Sequence, residues 1–132
     1  ISEEITNKID FSNVNMSAQK LVDCCDIYGA VAIPAHPGRA GIGFAEYLEK
    51  GVTGFETVSI VEELNGSNRP GEGEKAESLI EAKGYKGTGG SDAHIVSAIG
   101  TCMTNFENDI SNEHDLVKEL RNGSFKAVRL DK

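Results

Sequence analysis

Several scarcities in this sequence narrow its class before any motif is read. No apolar run approaches the roughly 20 residues that a membrane-spanning helix requires. The opening Ile1-Ser2-Glu3-Glu4-Ile5 also lacks the basic and apolar regions of a signal peptide. No membrane role is expected. Positive charge is in deficit: 13 Lys and Arg stand against 21 Asp and Glu, a formal net charge of -8. Such a field repels duplex nucleic acid and offers it no basic stripe. It does not exclude a small phosphorylated substrate or nucleotide, because a bound divalent ion reverses the local potential. The cysteines number 3 (Cys24, Cys25 and Cys102) and show no CxxC spacing. That excludes a zinc ribbon or a disulfide framework and points to small buried thiols in a reducing, cytoplasmic compartment. The sequons at Asn15, Asn65 and Asn122 are then chance matches. Proline occurs 3 times against 15 glycines, so tight turns are expected and Pro-rich linkers are not.

What is present is globular. The chain has 132 residues, 39% hydrophobic and 26% charged, which fits one domain or a piece of one. Helical and strand patterns alternate along it. Met16 to Tyr28 reads as a helix with Ser17 as N-cap and Leu21, Val22, Cys25 and Tyr28 on one face, and Gly29 ends it. Ala30 to Ile33 is a short continuous apolar run, the pattern of a strand buried on both faces. Phe44 to Lys50 reads as a helix and Phe55 to Ile60 as a second strand. A polar loop follows from Glu62 to Gly73, with the Asn65-Gly66 turn signal inside it. Glu74 to Lys83 forms an amphipathic helix, Tyr85 to Thr88 a third strand, and residues 101 to 106 a fourth. Glu113 to Asn122 is a helix and Phe125 to Leu130 the last strand. Strands separated by helices imply parallel β/α units, in an open sheet or as part of a barrel.

In either architecture function gathers at the carboxyl ends of strands. After the first strand stands Pro34-Ala35-His36-Pro37-Gly38-Arg39, and after the third stands Gly89-Gly90-Ser91-Asp92-Ala93-His94. Two imidazoles and a carboxylate on one rim suit Zn²⁺, Mn²⁺ or Fe²⁺ better than the all-oxygen sites of Ca²⁺ and Mg²⁺. An extended Asp92-x-His94 would put both side chains on one side. Pro37 should hold His36 extended. Singly, each feature has a plainer explanation. Gly87 to Gly90 lacks the pattern of a phosphate loop and reads as a turn. His114 reads as a solvated residue at a helix start. Glu62 with Glu63, and Glu72 with Glu74 and Glu77, read as solvated faces.

Together the features are specific. Ala35-His36-Pro37-Gly38-Arg39, Gly54-Phe55-Glu56, Asn65-Gly66 and Gly90-Ser91-Asp92-Ala93-His94 follow in fixed order, with Ile99-Gly100 after them. This order resembles the PHP (polymerase and histidinol phosphatase) superfamily, above all its stand-alone phosphoesterases, over roughly residues 16 to 130. The resemblance implies a distorted (β/α)7 barrel with up to three divalent metals at its carboxyl rim. It implies that His36, Asp92 and His94 are metal ligands, and it sets Glu56 on a recurrent acidic position without assigning it a role. No residue is assigned as catalytic. Arg39, just past His36, is a candidate clamp for substrate phosphate, with a surface ion pair as the alternative.

The chain departs from that family in one large respect: no His precedes His36, so the opening His-x-His strand and most of the metal cluster are missing. The expectation is a single domain over 1-132 that forms the C-terminal part of a PHP domain, with 1-15 unassigned, taken from a longer parent. Metal-dependent hydrolysis of phosphate esters is then the function of the parent, and the isolated chain should be inactive. The alternatives are a shortened scaffold without catalysis and, more weakly, an amidohydrolase-like metallohydrolase. A half-barrel leaves a sheet edge open, so self-association through that edge is expected.

Overall fold

The computed structural model describes residues 3–13 and 15–130. Residues 1, 2 and 14 of the unassigned N-terminal segment lie outside the described residues. The elements run α1 (Glu3–Lys8), α2 (Ala18–Ile27), α3 (Phe44–Glu49), β1 (Ile60–Asn65), α4 (Glu72–Lys83), β2 (Lys86–Gly90), a short 3-10 turn (Val96–Ala98), β3 (Cys102–Phe106), α5 (Glu113–Asn122) and β4 (Phe125–Arg129). The fold is mixed α/β.

Helices fall close to where their periodicity puts them. Ser17 caps α2 by accepting a hydrogen bond from Lys20 N, and Gly29, at φ +72°, ends the helical path. Asn112 caps α5 through the amides of His114 and Asp115. Gly84 and Gly123 close α4 and α5 in the left-handed conformation.

Two sheets of two strands form, and no barrel closes among the described residues. β1 pairs with β2 in parallel, Ile60 opposite Lys86 and Asn65 opposite Gly90, with a register shift at Glu63. β3 pairs with β4 in antiparallel fashion, Cys102 opposite Arg129 and Phe106 opposite Phe125. Parallel units throughout are therefore not observed. A helix between two strands permits a parallel crossover but does not require one, and α5 instead returns the chain along β3. Thr104 Oγ1 ties β3 to β2 by bonding both Gly89 N and Gly89 O.

The strands themselves also shift. The second strand is 60–65 rather than 55–60, because Phe55 to Val58 is turned and Val58 N bonds Phe55 O. Glu62 and Glu63, read as loop, are strand residues. β2 continues through Gly89 and Gly90, read as a turn, and its glycines have a steric reason. A Cβ at Gly89 would collide with the backbone of Met103, and one at Gly90 with the carboxylate of Glu62. Ala30 to Ile33 forms no ladder. Pro34 has no N–H to give to β1, and the backbone contact there is Glu62 N donating to Pro34 O at 3.0 Å.

Alternation along the chain nevertheless sorts the core into two clusters. Val61 joins Val22 and Val58, with Ala32, Phe44 and Phe55 packed against them. Ile60 joins Leu120 and Phe125, with Val31 and Ile33 packed against them. The segment 30–33 thus sends neighbouring side chains to opposite faces, as an extended chain does.

Candidate functional site

The site lies where the end of β1, the end of β2 and the turn after residue 34 meet. Asn65, the last residue of β1, is 2% exposed. Its Oδ1 accepts from Ser67 N at 2.8 Å, which makes the Asn65-Gly66 turn an Asx turn, and its Nδ2 donates to Glu62 Oε2 at 2.9 Å. Glu62 Oε2 also accepts from His36 N at 2.6 Å. One carboxylate on β1 therefore anchors the backbone of the segment that carries His36 and Arg39.

Arg39 reaches the other motif. Its guanidinium donates to Asp92 Oδ2 at 3.0 Å and stands 3.8 Å from Glu72 Oε2. Arg39 and Asp92 keep side-chain exposures of 24% and 23%, so the pair is only partly shielded from water. Asp92 is held below the usual carboxylate range, first by the Arg39 hydrogen bond, while partial burial opposes the shift; the Asn65 amide and the positive Arg39 add to the lowering. Glu72, buried at the start of α4, accepts from Arg69 N at 2.9 Å and Ala40 N at 3.3 Å. These backbone bonds, that of Arg69 above all, lower its pKa.

His36 and Asp92 are the non-glycine residues with positive φ among the described residues, at +32° and +47°. That conformation is strained for an L-residue with a Cβ, and such strain collects at functional sites. It also corrects two expectations. Pro37 does not hold His36 extended, and Asp92-x-His94 is not an extended pair. The chain turns at Asp92, and His94 folds back so that its Nδ1 lies 2.8 Å from Asp92 O. Ser67 Oγ donates to the same carbonyl at 2.9 Å.

One hydrogen bond and one unpartnered nitrogen determine what the imidazoles offer. A carbonyl oxygen only accepts, so Nδ1 of His94 donates, and in the neutral ring the lone pair is then on Nε2 of an exposed side chain. That is the arrangement in which a histidine serves as a metal ligand with its ring oriented from behind. Nδ1 of His36 is buried and has no hydrogen-bond partner among the described residues. The chemistry of these donors, neutral imidazole and carboxylate, fits Zn²⁺, Mn²⁺ or Fe²⁺. Two carboxylates, Glu72 and Asp92, face the one guanidinium of Arg39, a local excess of negative charge. Yet among the described residues no group of three or more His, Cys, Asp and Glu side chains stands together as a metal cage. The Asp92 carboxylate is engaged by Arg39.

Residues missed in the sequence are thus Glu62, Ser67 and Glu72, while Asn65 is legible there only as a turn signal. Glu62 and Glu72 are not solvated faces. A charged residue inside the apolar run Val58 to Leu64 was the available signal for Glu62. The plainer readings hold for Glu74, Glu77 and His114, which are exposed. Glu56 is exposed, and its carboxylate accepts from Gly54 N at 3.0 Å, closing its own turn away from the site.

No helix among the described residues is long and apolar enough to cross a membrane. No curated protein and no solved structure matches the chain. Residues 70–125 match the family model described as PHP-associated. That span holds α4 with Glu72, β2, Asp92, His94, β3 and α5, while His36 and Arg39 precede it. The match agrees with the motif order: over residues 70–125 the chain is similar to the PHP-associated family.

Proposed function

We propose that this chain is the C-terminal part of a metal-dependent phosphoesterase, its parent closing a distorted (β/α)7 barrel around the rim described above. The observation that carries the proposal is the joining of the two motifs: Arg39 grips the Asp92 carboxylate at 3.0 Å while the Asp92 carbonyl orients His94. His36, Asp92 and His94 are the residues that would hold a divalent ion. Such an ion supplies Lewis-acid polarisation and an acidified water.

The protein's own groups do the rest. Glu62, itself held by the Asn65 amide, fixes the backbone at His36. Ser67 and His94 hold the Asp92 carbonyl, which keeps the turn closed. Arg39, planar and always charged, has the fork geometry to exchange Asp92 for the oxygens of a phosphate monoester or nucleotide.

One observation favours the rival, a non-catalytic scaffold: the donors are not gathered into a cage. Calorimetric titration of the purified chain with Mn²⁺ and Zn²⁺ separates the two. Weak, saturable binding that is lost in His94→Ala and Asp92→Asn supports the metal reading. Binding unchanged by both substitutions refutes it. Hydrolysis of a model phosphate ester by the isolated chain should be barely above background, since three ligands do not assemble a multi-ion cluster.

A further inference from the structure

The segment that follows His94 leaves apolar side chains in water. Ile95, Val96 and Ile99 are each two-thirds or more exposed, and Met103 on β3 is 39% exposed. Single exposed apolar residues are ordinary, but a cluster beside a polar site marks a contact surface. The 3-10 turn gathers them, since its three-residue repeat brings Val96 and Ile99 to one side. The surface continues past Gly100, where a Cβ would lie 3.8 Å from the Met103 sulfur.

The turn is held in shape by its own backbone. Ala98 N donates to Ile95 O at 3.0 Å and Ile99 N to Val96 O at 3.2 Å, while Thr101 donates to Ala98 O through both N and Oγ1. The two ends of the loop meet at the Asn65-Gly66 turn: Gly66 N donates to Gly90 O, and a Cβ at Gly66 would collide with Ser91 O and Thr101 Oγ1 at once. Both strands that flank the loop, β2 and β3, belong to this chain and are tied by Thr104 to Gly89. Successive Cα atoms stand about 3.8 Å apart, so those of Ile95 and Val96 lie within about 8 Å of that of His94. An apolar lip thus adjoins the imidazole whose Nδ1 is held by the Asp92 carbonyl.

We propose that Ile95, Val96 and Ile99 determine specificity: they receive the ring of an aromatic phosphate monoester whose phosphate lies at Arg39 and His94. This rests on the phosphoesterase reading above and names the alcohol side of its ester. A single turn touches a ligand from one side. A planar ring presents the most area to such contact, whereas an acyl chain needs walls around it. Met103 adds a polarizable sulfur, which suits an aromatic ring. A polyol ester would lose hydration against this surface and gain no hydrogen bond from these side chains.

The test titrates the purified chain with 1-naphthyl phosphate and with methyl phosphate in the presence of Zn²⁺, reading amide shifts by NMR. The naphthyl ester should bind about eightfold tighter, from roughly 50 Å² of ring surface covered, and should shift the amides of residues 94–100. Val96→Ser combined with Ile99→Ser, at positions 85% and 70% exposed, should keep the helical circular dichroism and remove the preference. The proposal is overturned if the two esters bind equally well; the phosphoesterase reading then still stands. It is overturned if the preference survives the double substitution, as it would if the ring entered the apolar cavity between α2 and α5 instead. Failure of both esters to bind overturns it together with the phosphoesterase reading. Shifts at 95–99 that follow protein concentration alone also overturn it, because a second copy then covers the turn.

Discussion

The Arg39–Asp92 pair can be weighed quantitatively. At 3.0 Å, Coulomb's law gives ~1.4 kcal/mol in water and ~5.5 kcal/mol at an effective dielectric of 20. Each side chain is about three-quarters buried, so neither limit applies. Desolvation and side-chain entropy offset part of the attraction: fully exposed pairs measure about 0.2–1 kcal/mol, and hydrogen bonds to charged groups contribute about 1.5–3 kcal/mol. A coupling near 1.5 kcal/mol is expected from that bracket. The measurement is a double-mutant cycle of Arg39→Met and Asp92→Asn, with stability read from urea unfolding at pH 7 and low salt. Asparagine is chosen because it tolerates the left-handed backbone at residue 92, where φ is +47°, so the cycle reports the charge and not the turn. The same cycle at about 1 M salt should return a smaller value, since water reaches the pair. A coupling below about 0.3 kcal/mol at low salt would place the pair among surface contacts of no consequence. The joining of the two motifs would then have no energetic basis in Arg39.

Two further outcomes follow from the same geometry. Because the Asp92 pKa is lowered in the folded chain, the unfolded chain binds the proton more readily; the stability this carboxylate contributes is present above the unfolded value near 4 and is lost as pH falls through the folded value. Urea midpoints from pH 6 to pH 3 should therefore fall less steeply in Asp92→Asn than in the wild type, and parallel curves would contradict this. Gly89→Ala should cost about 2 kcal/mol, because its Cβ meets the backbone of Met103 and β3 has to shift; thermal unfolding should drop by roughly 6–10 °C, and an unchanged midpoint would show that β3 does not lie against β2 as described.

Helices were legible because their signals are local. Ser17, Gly29, Asn112 and Gly123 act within a turn of the elements they cap or end, and the apolar stripe of α4 needs no partner to be seen. Strands were less so, for reasons that lie outside any local window. Ala30 to Ile33 has the composition of a buried strand and the alternation of one, yet Pro34 denies it a donor toward β1. Phe55 to Ile60 carries β-branched and aromatic residues, but the ladder begins only at Ile60. Antiparallel pairing of β3 with β4 depends on how α5 returns, which no residue of either strand encodes.

The candidate site shows the same division. The motifs carrying His36, Arg39, Asp92 and His94 could be read as candidates in the sequence because histidine and aspartate after glycine or a short apolar run are unusual there. The groups that position them could not, because each is ordinary by type. Glu62 and Glu63 stand side by side and meet different fates. Glu62 finds the amides of His36 and Asn65, and that is why a carboxylate is tolerated inside β1. Glu63, where the register shifts, finds no such donors among the described residues; burial and the nearby Glu77 raise its pKa. Identical residues one position apart differ because a strand turns successive side chains to opposite faces and only one face meets the segment 34–39. The strain in that segment's shape is visible in the left-handed φ of His36. What compensates is the bond from His36 N to Glu62, together with Arg39, which ties the same turn to Asp92. Glu62, rather than any of the three candidate ligands, is thus the residue on which the arrangement of this rim most depends.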